Sequence, residues 1–231
     1  ASFILPITPE WGIKEICTTD ALEFLGDTLK SLDNQTIPNW ELTIVASSCY
    51  SSLIKSSLKD LAELTRNKIK HFEVDNNFKS SQACNIGFRY TSGNLVSLLQ
   101  AGDTLSPHVY EILNFLIQNP KAKVIYSDND FIGRDGRRHT PFFKPNISPD
   151  LLFSQNYFSQ LICYERDLLV NLGGWNENLS MAYDYDLNLR ATVHLIGLQK
   201  KTPKSRRFLK ITHIPKILYH IRCDSNYIQG L

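Results

Sequence analysis

The residues best suited to chemistry in this 231-residue chain are carboxylates standing where extended segments end. Asp103 follows the apolar run Leu95–Leu99, Asp128 and Asp130 follow Val124–Ser127, and Asp184 and Asp186 come after the pair Gly173-Gly174. Such groups can bind a metal ion and supply a general base. Taken singly, each also reads as an N-cap or turn residue, the commoner role of an aspartate at such places, and Gly102-Asp103-Thr104-Leu105-Ser106-Pro107 suits a turn that starts a helix.

Other chemistries lack their residues. There is no GxGxxG after the first strand and no GxxxxGK[ST], so dinucleotide oxidoreductases and P-loop NTPases are left without a phosphate cradle. GxSxG and HExxH are absent as well. The five cysteines, Cys17, Cys49, Cys84, Cys163 and Cys223, are odd in number and widely spaced, with no CxxC pair and no histidines at zinc spacing, and they read as reduced thiols. A balance of 25 Lys+Arg against 23 Asp+Glu gives no general attraction for nucleic acid. The basic run Lys200, Lys201, Lys204, Arg206, Arg207, Lys210 reads as a solvated loop.

The elements that must hold these carboxylates alternate along the chain. Ser2–Ile7 is strand-like, and Leu22, Leu25, Leu29 and Leu32 mark one face of a helix over 21–32. The same reading gives strands at 41–46, 71–74, 95–99, 123–127 and 159–164. Helices are expected at 52–66, 81–91, 108–118, 167–172 and 183–193, with a hairpin at Asp135-Gly136 and an extended segment over 210–222. Repeated βαβ units predict an α/β fold, one domain over 1–231 with a mostly parallel central sheet and helices on both faces, and with ligands gathered beyond the carboxyl ends of the strands. The opening Ala1-Ser2-Phe3-Ile4-Leu5-Pro6 has no basic leader, and the apolar runs are strand-sized. A soluble, cytoplasmic chain with no membrane span is therefore expected, cut from a longer protein whose missing segments would supply any membrane association.

The order of short motifs carries a resemblance. Phe3-Ile4-Leu5-Pro6-Ile7-Thr8, Gln35-Thr36-Ile37-Pro38-Asn39-Trp40-Glu41-Leu42, Ala83-Cys84-Asn85-Ile86-Gly87 and the segment Leu98–Leu105 come first. Tyr126-Ser127-Asp128-Asn129-Asp130, Phe143-Lys144-Pro145, Ser148-Pro149-Asp150-Leu151-Leu152, Gln155-Asn156-Tyr157, Gly173-Gly174-Trp175, Asp184-Tyr185-Asp186-Leu187 and the stretch His213–His220 follow. This series resembles the inverting family 2 glycosyltransferases of GT-A fold, particularly the bacterial polysaccharide type, across nearly the whole chain.

The resemblance implies transfer of a sugar from a nucleoside diphosphate sugar to a hydroxyl of a glycan or lipid-linked acceptor. It divides the chain into a donor half over 1–105 and an acceptor half over 106–231. Asp184 matches the general base. Pro6, Thr8, Ser47, Asn85, Gln100 and Asp103 fall on the donor side, and Gly174, Trp175 and Asp186 on the acceptor side. Asp103 and His220 would hold Mn²⁺ or Mg²⁺. His220 suits a packed strand residue equally well, Gly173-Gly174-Trp175 suits a helix C-cap with a core tryptophan, and Arg190 suits an ion pair with Asp186 four residues earlier.

The departures lie in the donor half. Val45-Ala46-Ser47-Ser48 has no carboxylate where the family reads the nucleobase, and Gln100-Ala101-Gly102-Asp103 stands where Asp-x-Asp-Asp is common. A weakly bound metal is the expectation. Cys84 replaces a usual arginine, and Lys79 either restores that charge or is a solvated loop lysine. Two functions remain in view, an inverting sugar transferase and a degenerate module of the same fold that binds glycan or acts as a scaffold.

Overall fold

A computed structural model describes residues 1–9, 23–59, 61–110, 113, 122–200 and 210–223. The first half runs β1 (Ser2–Ile7), α1 (Leu25–Asp33), β2 (Glu41–Ser47), α2 (Ser51–Lys59), α3 (Glu63–Arg66), β3 (Ile69–Val74), α4 (Ser80–Arg89), β4 (Leu95–Leu98) and the short β5 (Thr104–Leu105). The second half runs β6 (Val124–Ile132), β7 (Arg138–Phe142), α5 (Pro149–Ser154), β8 (Ile162–Glu165), α6 (Arg166–Leu172), α7 (Tyr183–Lys200) and β9 (Ile211–Arg222).

All nine strands join one sheet in the order β3-β2-β1-β4-β8-β6-β9-β5, with β7 paired to β6. The first four strands are mutually parallel. β8 runs antiparallel to both β4 and β6, while β6 and β9 are parallel. This mixed sheet flanked by helices is the α/β architecture expected from the alternation.

Period-2 burial explains why β1 sits at the centre. Phe3, Leu5 and Ile7 enter one core cluster with Leu25, Leu29 and Leu32 of α1, while Ile4 enters the other with Trp175 and with Leu187 and Leu195 of α7. A strand buried on both faces needs such an unbroken apolar run. On the second face α4 lies so close that a Cβ on Gly87 would come within 2.4 Å of Ile4 Cγ2. The absent side chain is what allows helix and strand to approach.

Several boundaries differ from expectation. The helix expected over 52–66 is two, α2 and α3, and α7 continues to Lys200. The strand expected from 159 starts at Ile162, because Ser159 and Leu161 have left-handed backbone (φ 51° each). β6 and β9 pair with register shifts, so that Tyr126 faces His213 yet Asp130 faces His220. Most of the helix expected at 108–118 and most of the basic run lie outside the described residues. Among the described residues no helix is long and apolar enough to cross a membrane.

Candidate active-site cleft

A cleft opens beyond the carboxyl end of β4, where the sheet changes from parallel to antiparallel. Its lining includes Ser80, Gln100, Gln160, Trp175, Tyr183 and Asp184, so residues expected on the donor and acceptor sides meet there. Asp184 lies in the first turn of α7, where the positive end of the helix dipole favours a carboxylate.

Behind Asp184 stands a relay of side chains. The Tyr164 hydroxyl donates to Asn188 Oδ1, Asn188 Nδ2 donates to Asn156 Oδ1 at 3.1 Å, and Asn156 Nδ2 reaches Asp184 Oδ2 at 3.5 Å. Asn188 is fully buried, so each amide has one orientation that satisfies its neighbours. The sequence reading gave these residues no role. A signal existed, since Asn156 belongs to a matched motif and Asn188 lies four residues after Asp184 on one helix face.

The far wall is held by Lys144. Its buried ammonium donates to the carbonyls of Phe158 (2.5 Å) and Gln160 (3.1 Å), and its backbone N–H donates to Asp128 Oδ1 at 2.9 Å. Burial lowers this amine to about 7, against the opposing pull of Asp128. The anchored segment carries Ser159 and Leu161, and with Ala182 (φ 55°) these cleft-lining residues adopt a backbone that non-glycine residues rarely tolerate.

On the donor side Thr8 Oγ1 lies 2.7 Å from Ser80 Oγ and so reaches the cleft through its neighbour, while Pro6 is buried within β1 opposite Val45. Ser47 ends β2 with its hydroxyl buried and without a hydrogen-bond partner among the described residues. Lys79 donates from Nζ to the Asn178 carbonyl at 3.3 Å, which ties it to the opposite half.

Three residues expected to bind ligand are engaged by the scaffold. Asn85 uses both ends of its amide, accepting from the Trp175 N–H (2.9 Å) and donating to the Trp175 carbonyl (2.8 Å) and Glu177 (2.9 Å). Asp186 accepts from Arg190 Nε at 2.8 Å, and the same guanidinium donates to the Leu172 and Gly174 carbonyls at 2.8 Å each. The ion-pair reading of Arg190 therefore holds, and the pair clamps the Gly173-Gly174 turn. Trp175 is 2% exposed and packs edge-to-face on Phe88, so its ring edges the cleft from within the core rather than offering an open stacking face. Gly173 is the left-handed C-cap of α6, and Gly174 (φ 72°) has Asn85 Oδ1 within 2.4 Å of where a Cβ would stand.

The expected metal ligands are likewise committed. Asp103 is 3% exposed, accepting the Tyr219 hydroxyl on Oδ2 (2.7 Å) and the Arg222 backbone N–H on Oδ1 (2.8 Å). Burial pushes this carboxyl up to about 7, against the opposing effect of those two hydrogen bonds. His220 places Nδ1 2.5 Å from Asp130 Oδ1, and Arg138 Nε donates to Asp130 Oδ2 at 2.7 Å. Mn²⁺ and Mg²⁺ call for several hard oxygen ligands. No group of three or more His, Cys, Asp or Glu side chains among the described residues is placed to hold a metal. Asp103 and His220 as arranged do not fit a protein-held divalent ion.

Comparison with known proteins agrees with this architecture. RfbC of Myxococcus xanthus, named as an O-antigen biosynthesis protein, is 32% identical over 205 residues, which are 88% of this chain and 15% of that protein. The chain thus spans a small part of the length of this curated relative. S. aureus TarS residues 1–349, solved in complex with UDP-GlcNAc, superposes with a TM-score of 0.68 at 16% identity, over 97% of this chain and 58% of that one. The mannosyltransferase PcManGT of Pyrobaculum calidifontis, solved with GDP-Man and Mn²⁺, gives 0.61 at 12% identity, over 95% and 55% respectively. At these identities the two structures show a common fold. The description of glycosyl transferase family 2 matches residues 16–166, and the chain belongs to that family.

Proposed function

We propose that the chain is an inverting glycosyltransferase module that moves a sugar from a nucleoside diphosphate sugar to an acceptor hydroxyl in surface-glycan biosynthesis. The observation that carries this reading is Asp184 at the start of α7, opening into the same cleft as Gln100 and Ser80. Family membership supports sugar transfer, RfbC's name supports a surface glycan, and the nucleotide sugars bound to TarS and PcManGT support the donor class.

In this mechanism the Asp184 carboxylate accepts the proton of the acceptor hydroxyl as its oxygen attacks the anomeric carbon. The nucleoside diphosphate departs from the opposite face with the electron pair of the broken bond, which inverts the centre. Asn156 orients Asp184 through the 3.5 Å contact, and the wall anchored by Lys144 shapes the space where the two sugars meet. Residues 1–105 form the donor half and 106–231 the acceptor half. No step runs through Mn²⁺ or Mg²⁺, because Asp103 and His220 do not fit such an ion.

The test is Asp184→Asn, assayed for release of nucleoside diphosphate from UDP, GDP, dTDP and CDP sugars in the presence of glycan acceptor. Turnover should fall by about 10² to 10⁴-fold while donor affinity is retained. A second reading, a module that binds glycan or serves as a scaffold in a longer protein, draws on the commitment of Asp103 to Tyr219 and Arg222. On that reading the same substitution changes nothing measurable.

A further inference from the structure

We infer that this chain binds the diphosphate of its donor without a divalent ion held on the turn after β4, because the carboxylates there are already committed within the protein. The inference rests on the glycosyltransferase reading and sharpens how the donor is held.

The turn Gln100-Ala101-Gly102-Asp103 offers few ligands. Gln100 lines the cleft with a neutral amide, and Gly102, in left-handed conformation (φ 89°), has no side chain at all. Asp103 holds the Tyr219 hydroxyl and the Arg222 N–H at the distances given above, buried from solvent. Its carboxylate is a brace between β9 and the turn.

A fixed cation already occupies the neighbourhood. The Arg222 side chain is buried and donates from Nε to the Gly102 carbonyl (3.2 Å), from Nη1 to the Gly133 carbonyl (2.7 Å) and from Nη2 to Asp27 (2.9 Å). Its guanidinium also lies over the Phe24 ring, 4.1 Å from the centroid. A guanidinium keeps its charge in this pH range, and here it is paired with Asp27 while the Arg222 backbone engages Asp103, so neither carboxylate is left as an open ligand for Mn²⁺ or Mg²⁺.

His220 does not alter the balance. Its Nδ1 is engaged by Asp130, so Nε2 is its one remaining ligand atom, and a single imidazole is a poor match for ions that prefer oxygen. Arg138, half-exposed, takes the other oxygen of Asp130, so that carboxylate is committed as well.

The deciding experiment is calorimetric titration of the protein with UDP, GDP, dTDP and CDP, once in EDTA and once in millimolar MnCl₂. Alongside it, the electron paramagnetic resonance signal of free Mn²⁺ is followed as protein is added without nucleotide. The expected result is one nucleoside diphosphate whose affinity agrees between the two buffers within about twofold, with the free Mn²⁺ signal unchanged. A tightening of about tenfold or more with Mn²⁺, or loss of the free Mn²⁺ signal on adding protein, overturns the inference and leaves the glycosyltransferase reading in place. Failure of all four nucleotides to bind in either buffer overturns both.

Discussion

Asn188 fixes the orientation of Asn156: its Nδ2 donates to Asn156 Oδ1 at 3.1 Å, which turns the Asn156 amide nitrogen toward Asp184. The carboxylate assigned as base is thus set by a chain of hydrogen bonds that runs back to the fully buried Asn188 and to Tyr164.

Asn188→Leu removes the middle of this relay and leaves the Tyr164 hydroxyl and the Asn156 carbonyl oxygen without partners. The expected cost is about 1–3 kcal/mol of stability, read as a lowered urea midpoint. Asn156→Ala leaves the buried Asn188 amide nitrogen without its acceptor and should cost about 1 kcal/mol, while lowering turnover with donor affinity constant, which separate stability, binding and rate measurements will check.

Lys144→Met should release the Phe158 and Gln160 carbonyls and loosen the cleft wall. The sign of the pH effect follows from an amine whose folded value, about 7, is depressed below its unfolded one. Its stabilising contribution is fully present above the unfolded value near 10.5 and is lost as pH falls toward 7. Wild-type stability should therefore rise from pH 7 to 10 relative to Lys144→Met, as thermal melts of the two proteins across that range will show.

Glu41 ties the edge of the parallel half together, accepting from Ser2 Oγ (2.5 Å), from the Ser92 N–H and hydroxyl, and from the Gly93 N–H (3.0 Å). Burial alone would raise this carboxyl, but the hydrogen bonds outweigh it and hold it at about 2. A depressed carboxyl stabilises above its unfolded value near 4.5 and loses that contribution as pH falls toward 2. Glu41→Gln should lower stability at pH 7 by about 1 kcal/mol, a gap that closes in acid melts as pH falls from 4.5 to 2.

Gly174→Ala places a methyl group 2.4 Å from Asn85 Oδ1 and forces a side chain onto left-handed backbone. The expected loss is about 1–3 kcal/mol. Because Trp175 follows directly, its fluorescence should shift along with the lowered melting temperature.

Much of the scaffold was legible because it rests on periodic burial. The two-sided run Phe3–Ile7 and the leucines of α1 are where the spacing put them. The site was legible only where a residue's chemistry is local. The place of Asp184 at a helix start and the pairing of Asp186 with Arg190 four residues on follow from local spacing, whereas the duties of Asn85 and Asp103 depend on atoms 90 and 119 residues away. Spacing cannot tell that Asn85 grips a backbone or that Arg222 fills the turn beside Gly102, since both arise from sheet order. The stretch 159–164 reads as strand by composition, yet Lys144 pins its first residues into a conformation no strand contains.

The register shifts between β6 and β9 act as a phase corrector. His213 and His220 are seven residues apart, an odd spacing that would send them to opposite faces of a regular strand. Their partners Tyr126 and Asp130 are only four apart, so three residues of β9 are absorbed along the way, in a stretch containing Pro215, where a missing N–H costs the ladder nothing. Both imidazoles thereby reach carboxylates on one face, His213 that of Asp128 and His220 that of Asp130. Deleting one residue from Pro215-Lys216 would invert everything beyond it: His220 would turn from Asp130, Tyr219 from Asp103, and β5 would lose its partner. A segment with no chemistry of its own thus decides which side of the sheet carries His220 and which carries Tyr219.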